Sequence, residues 1–202
     1  MIGRLTGKIV YKRPPSLMLE VSGVGYEIEA PLSVFFDMPE VDSQITLYTH
    51  LAVREDAHVL YAFNGEGDKA LFRSLLRVNG VGAKMALAIL SGMSAEHFAH
   101  CVQMEDTASL KRVPGIGKKT AERLIIEMRD RLDALDLSDT TPVQAGVATA
   151  TVSRKHSPVT EAVDALTALG YKAADAAKMV KSIQQLGMTS EQLIRAALKS
   201  SI

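Results

Sequence analysis

Leu75-Leu76-Arg77-Val78-Asn79-Gly80-Val81-Gly82-Ala83-Lys84-Met85-Ala86 and Leu110-Lys111-Arg112-Val113-Pro114-Gly115-Ile116-Gly117-Lys118-Lys119-Thr120-Ala121 are two copies of one pattern. Each reads as an apolar helix end, a Gly-apolar-Gly corner and a lysine at the start of a second helix. The copies are offset by 35 residues, and a repeat at a fixed offset constrains the architecture more than any single residue does. Glycine permits the positive φ of a tight corner and removes side-chain bulk where a ligand approaches. The helix after each corner opens with unpaired N–H groups. Its aligned peptide dipoles place partial positive charge at the same end, so an anion is favoured there. Lys84, and Lys118 with Lys119, add full charge. Phosphate is the natural ligand, and two such sites suit a polymer of phosphates. The candidate contacts are Gly80, Gly82, Lys84, Gly115, Gly117, Lys118 and Lys119, with Arg123 one turn further along the second helix. One Gly-x-Gly alone is also a common structural corner; two copies with matched flanks favour the ligand reading.

The totals set the frame. The chain has 202 residues, enough for one large domain or two or three small ones. Formal net charge is zero, but its distribution is uneven: residues 1–64 carry 5 Lys+Arg against 8 Asp+Glu, and residues 65–131 carry 11 against 8. A basic middle beside an acidic start suits a binder with an attractive and a repulsive face. Cys101 is the only cysteine, so no disulfide can form within one chain. Its helical spacing from Phe98 and Val102 marks it as a core thiol. No run of about 18 apolar residues is present and the N-terminus lacks a basic-then-apolar signal, so a cytoplasmic protein without membrane contact is expected.

Residues 1–64 read as strands. Apolar and β-branched runs cover Leu5 to Tyr11, Leu17 to Val21, Val24 to Ala30, Ile45 to Val53 and Val59 to Phe63, with Pro14-Pro15 and Ser22-Gly23 as breaks. Five short strands predict a small OB-like β-barrel. Such barrels often bind single strands by stacking bases on aromatics. Here the aromatics are few (Tyr11, Tyr26, Tyr48, Tyr61, Phe63) and the segment is acidic, so a scaffold or assembly role is expected. Arg54-Glu55-Asp56-Ala57 joins the last two strands. By composition it is an ordinary polar hairpin tip.

Residues 65–137 read as an all-α domain. Leu71, Leu75 and Val78 mark one apolar face before the first corner, and Met85, Ile89 and Leu90 continue after it, with Gly92 expected as the stop. Ser94 is expected to cap the next helix, and Asp106 or Thr107 to start the one leading to the second corner. Leu124, Met128, Leu132 and Leu135 recur at helical spacing. Arg129 and Arg131 are expected to be solvated and paired with Glu127 or Asp133. His97 and His100 stand three apart, but no third ligand lies near, so no metal and no cofactor are expected. The Thr/Ala/Val/Ser-rich residues 138–156 read as a flexible linker. Residues 157–202 predict a three-helix bundle, opened by Ser157-Pro158 and carrying Val163, Leu166 and Leu169 ahead of Gly170. The whole is a multi-domain α+β chain.

The two Gly-x-Gly corners resemble the tandem helix-hairpin-helix, a DNA-backbone-binding motif. With its flanking segments, the whole chain resembles the RuvA family of bacterial Holliday-junction-binding proteins. The Leu169-Gly170-Tyr171 loop also resembles that of ubiquitin-associated (UBA-like) bundles. The resemblance implies structure-specific, sequence-independent binding of four-way DNA in recombination and repair, without catalysis. It implies a homotetramer, one or two of which enclose a junction. It makes Glu55 and Asp56 an acidic pin at the crossover, with Arg54 holding a phosphate beside it. Two such carboxylates facing phosphates at ~8 Å repel by only about 0.5 kcal/mol per pair, so several copies around one crossover are needed. It makes the last domain a dock for the hexameric ATPase RuvB, with Leu166, Leu169, Tyr171 and Leu198 as candidate contacts, about half of them expected to be core. The nuclease RuvC is the other implied partner.

Two rivals are set against this. DNA glycosylases share the hairpin motif but follow it with a Gly/Pro-rich loop and a catalytic Asp; here Asp130 and Asp133 lie inside an unbroken helical pattern. A generic interaction or duplex-binding module would use the corners as structure only. An ATPase is excluded on spacing, since Gly115-Ile116-Gly117-Lys118-Lys119-Thr120 is no phosphate-binding P-loop.

Overall fold

The computed structural model describes residues 1–132, 157–183 and 188–200. The expected linker, Asp133 and Leu135 lie outside the described residues. The chain divides into two compact units, Met1–Val147 and Ala148–Ile202.

In the first unit, β1 (Arg4–Arg13), β2 (Ser16–Val21), β3 (Val24–Glu29), β4 (Gln44–Val53) and β5 (His58–Phe63) close a barrel in the order β1-β2-β3-β5-β4. All neighbours are antiparallel except β3 and β5. Each strand follows its sequence run to within two residues. One long strand makes the closure possible. The first half of β1 pairs with β4 and the second half with β2, and the register shifts between Ile9 and Tyr11. A bulge there bends the strand from one neighbour to the other. Leu5 and Ile9 alternate inward and meet Leu17, Leu19, Ile28 and Leu47 in the barrel core.

A short helix, α1 (Leu32–Phe36), connects β3 to β4. Five residues are too few for a helical period to show in sequence, and this element was not anticipated. It braces the barrel against the helices that follow. Leu32 N donates to Ser91 Oγ at 2.9 Å, and Ser33 Oγ donates to the Leu90 carbonyl at 2.9 Å.

The helices are α2 (Glu66–Leu75), α3 (Ala83–Gly92), α4 (Ala95–Gln103), α5 (Thr107–Leu110) and α6 (Lys118–Leu132). Every expected apolar position before and after the corners is buried except Met85, which is half-buried. The core continues onto the barrel: Phe72 of α2 packs its ring 5.0 Å from Tyr61 and 4.9 Å from Phe63. Lys69 of α2 is buried too, donating to the Gly3 carbonyl at 3.1 Å and to Glu66 at 2.9 Å. Tyr61 and Phe63 of β5 thus belong to the helical core, which is distinct from the core inside the barrel, and residue 64 marks a change of element type within one compact unit. Two of the five barrel aromatics have their faces taken by Phe72, leaving them no room to stack bases.

Of three local expectations, one holds and two are refined. Asp106, not Thr107, is the cap of α5: its carboxylate accepts from the amides of Ala108 and Ser109 at 3.0 Å. Ser94 caps α4 as expected, accepting from His97 N. Gly92 is not a left-handed stop. It is the last helical residue, and the chain leaves through Met93 in an extended conformation. An added Cβ on Gly92 would lie 3.6 Å from Val113, an ordinary van der Waals contact, so packing does not demand glycine there either.

In the second unit, α7 (Pro158–Ala168), α8 (Ala173–Ile183) and α9 (Ser190–Ser200) enclose Ala162, Leu166, Ala176, Val180, Leu193 and Ala197. Ser157 Oγ accepts from Thr160 N at 3.2 Å, and Gly170 at φ 101° ends α7, both as the sequence indicates.

Candidate nucleic-acid interface

The two corners have the same backbone. In the first, Arg77 N donates to Ser74 O, Val78 N to Leu75 O and Val81 N to Val78 O. In the second, Arg112 N donates to Ser109 O, Val113 N to Leu110 O and Ile116 N to Val113 O. Every partner is shifted by 35 residues. Gly80 and Gly115 take φ 82° and 88°, a left-handed conformation in which a side chain is strained. Val81 and Ile116 between the glycines are buried and anchor each corner from inside.

Gly82 and Gly117 have a different role. Gly82 caps α3 at φ −94°, and an added Cβ on either glycine would meet nothing within 4 Å. Neither internal packing nor a left-handed φ requires glycine there. What the missing Cβ provides is a flat approach from outside. Beyond each corner the amides at the helix start, Ala83 and Lys84 on α3 and Lys118 to Thr120 on α6, find no acceptor among the described residues. Lys84 and Lys119 occupy equivalent places; both are exposed and neither is in an ion pair among the described residues. Lys118 lies 4.0 Å from Glu122, an exposed pairing of little strength.

Arg123 departs from expectation. Its Nη1 donates at 3.0 Å to the carbonyl of Asn79 in the first corner and does not turn back along α6 to the second. The same atom lies 3.4 Å from where a Cβ on Gly80 would stand. Arg123 is about one and a half turns, ~7.5 Å, from the start of α6. One side chain of the helix that opens at the second corner thus reaches the first corner. Sequence alone had one clue to this: the residue equivalent to Arg123 in the first copy is Ala88, so the repeat is broken at that place.

The two later arginines of α6 have partners. Arg131 pairs with Glu127 at 3.6 Å as expected, whereas Arg129 pairs with Glu105 from the turn after α4. Cys101 is buried in the helical core, and burial pushes its thiol above the ordinary range. The α6 helix runs unbroken through Asp130, about 18 Å along its axis from Lys118. That places the one described aspartate of the glycosylase reading far from the corner.

On the barrel, Arg54 to Ala57 form an exposed four-residue tip closed by Arg54 N donating to Ala57 O at 2.9 Å. Glu55 and Asp56 are both exposed on it. In the second unit, Leu166 is fully buried, Leu169 is 63% exposed, and Tyr171 and Leu198 are half-buried against the bundle core. Leu166 is therefore removed from the candidate contacts, because its side chain fills the bundle centre. No helix among the described residues is long and apolar enough to cross a membrane.

Comparison with known proteins gives three consecutive matches. The family model "RuvA N terminal domain" matches residues 1–62, "SAM-like Helix-hairpin-helix tandem" matches 72–130, and "RuvA, C-terminal domain" matches 157–201. The Holliday junction branch migration complex subunit RuvA of Thioalkalivibrio sulfidiphilus is 57% identical over 202 residues, covering all of both chains. The chain belongs to the RuvA family.

Other RuvA proteins agree along the same length. The subunit from Nitrosococcus oceani is 54% identical over 203 positions, with 98% of each chain covered, and that from Actinobacillus pleuropneumoniae is 50% identical over all of both chains. The Gly-x-Gly repeat, Leu75 to Ala121, falls within the helix-hairpin-helix match, and the acidic tip falls within the RuvA N-terminal match.

Proposed function

We propose that this chain is the non-catalytic DNA-binding subunit of a Holliday junction branch migration complex, working in the cytoplasm in recombination and repair. The observation that carries this reading is the pair of corners with matching hydrogen bonds, both exposed, the first of them bonded by Arg123 from the helix that opens at the second. Each presents free helix-start amides and a lysine, and each is bare of side-chain bulk where a phosphate would sit. Recognition of this kind follows duplex geometry and ignores base order.

One subunit offers two small grips. A homotetramer places one subunit on each arm of a four-way junction and holds it open and planar. Linked grips then reinforce one another through effective concentration. The grips are Gly80, Gly82 and Lys84 on the first corner, and Gly115, Gly117, Lys118 and Lys119 on the second. Glu55 and Asp56 of each subunit meet at the centre and repel the backbones there, while Arg54 holds a neighbouring phosphate. The C-terminal bundle recruits the RuvB ATPase through Leu169, Tyr171 and Leu198, and RuvC acts on the same assembled junction.

Competition between a four-way junction and linear duplex of equal length, at several salt concentrations, tests the reading. The junction is expected to win at every salt concentration, with log K falling by about 0.9 per phosphate contacted for each decade of salt. Equal affinity for the two DNAs would leave only a generic duplex binder.

A further inference from the structure

We infer that Arg123 is a positioning residue that fixes the first corner against the second, so that both grip one duplex arm in register. This rests on the phosphate reading of the corners and deepens it.

Three observations point the same way. Arg123 stands on the helix that opens at the second corner, yet its Nη1 bonds the carbonyl of Asn79 in the first, across 44 residues of sequence, at 3.0 Å. The guanidinium also lies against Gly80, the residue whose positive φ shapes that corner. The repeat is broken here: Lys84 answers to Lys119 and Arg77 to Arg112, but Arg123 answers to Ala88, as Lys118 does to Ala83. A brace between the copies is needed once.

The chemistry suits a brace. A guanidinium has five donors in a rigid plane and cannot lose its charge. One donor holds the Asn79 carbonyl, which lies outside both helices and takes no bond from a backbone amide among the described residues. A bond from a charged donor is stronger than one between neutral groups. Buried core residues also connect the two corners, and Arg131 of α6 reaches the Ser74 carbonyl at 3.5 Å, at the end of α2 rather than in the turn itself. Without the brace the second corner keeps its shape, since its bonds are local, whereas the turn of the first corner loses the bond that ties its Asn79 carbonyl to α6.

The asymmetry gives the test, made on the full-length chain. In Arg123→Ala, amide hydrogen exchange without DNA is expected to quicken about tenfold at Val81 in the first corner and to stay unchanged at Ile116 in the second. Junction binding is then measured for Lys84→Ala and Lys119→Ala, each with and without Arg123. With Arg123 present, both are expected to weaken binding several-fold. In the Arg123→Ala background, Lys84→Ala should add less than about twofold, while Lys119→Ala keeps its full factor. Unchanged exchange at Val81, or a Lys84→Ala penalty undiminished in that background, overturns the brace. If neither lysine matters when Arg123 is intact, the phosphate reading has failed instead, and the exchange result still decides the brace.

Discussion

Gly80 and Gly115, 35 residues apart, hold the same left-handed backbone at φ 82° and 88°. Gly82 and Gly117, two residues on, have open space where a Cβ would stand. The two kinds of glycine should separate on substitution. Gly115→Ala is expected to cost about 1–2 kcal/mol of stability from the strained φ. Gly80→Ala should cost at least as much, since its Cβ also meets Arg123. Gly82→Ala and Gly117→Ala should leave the melting temperature nearly unchanged and weaken junction binding. Thermal melts beside gel-shift titrations of the four variants check this.

Asp68 in the first turn of α2 has its carboxyl pushed up to about 6, chiefly by burial and then by the nearby Glu96. The folded value lies above that of an unfolded aspartate, so between about pH 4 and 6 the native state holds the extra proton. The stability from this group is full below about pH 4 and is lost as pH rises through about 6. Asp68→Asn should therefore stabilise the protein at pH 7.5 by about 1 kcal/mol after allowance for solvent screening. The gain should vanish near pH 4. Urea midpoints of both proteins at the two pH values measure it; an equal gain at both would assign the effect to something other than the charge.

The acidic tip acts through charge if it acts as proposed. Glu55→Gln with Asp56→Asn should tighten junction binding at low salt. The gain per subunit is small, about 0.5 kcal/mol per carboxylate–phosphate pair at ~8 Å. It should shrink as salt rises to ~1 M, where the screening length falls to about 3 Å. A titration series over salt reads this directly. A gain independent of salt would argue for a change of shape at the tip.

Leu166 and Leu169 lie three residues apart on one apolar stripe yet part in the structure, one filling the bundle and the other 63% exposed. Leu166→Ala should destabilise the bundle by about 2–5 kcal/mol. Leu169→Ala should stay within about 0.5 kcal/mol and lower the stimulation of RuvB ATPase on junction DNA. Melting and ATPase assays on both variants distinguish core from contact.

Much of this was legible because it is local. The corners are fixed by glycines and bonds spanning three residues, and the strands by alternation along each run. What escaped depended on distance along the chain. The Asn79 carbonyl held by Arg123 and the Ser91 hydroxyl bracing α1 join segments 44 and 59 residues apart, and no short-range pattern marks such pairs. Gly92 reads as a helix stop, but glycine ends a helix in two ways, and here it stays helical while Met93 takes the extended exit. The stripe through Leu166 could not show that α7 ends at Ala168, leaving Leu169 in the cap to turn outward.

The most direct test of the central claim is junction affinity of the doubly substituted Lys84→Ala, Lys119→Ala protein at fixed salt, with its fold checked by melting. Loss of at least about tenfold in affinity, together with a salt slope shallower by roughly 0.9 for each phosphate released, is the result expected if these helix starts hold the DNA backbone. Wild-type affinity and slope in a folded double variant would contradict it.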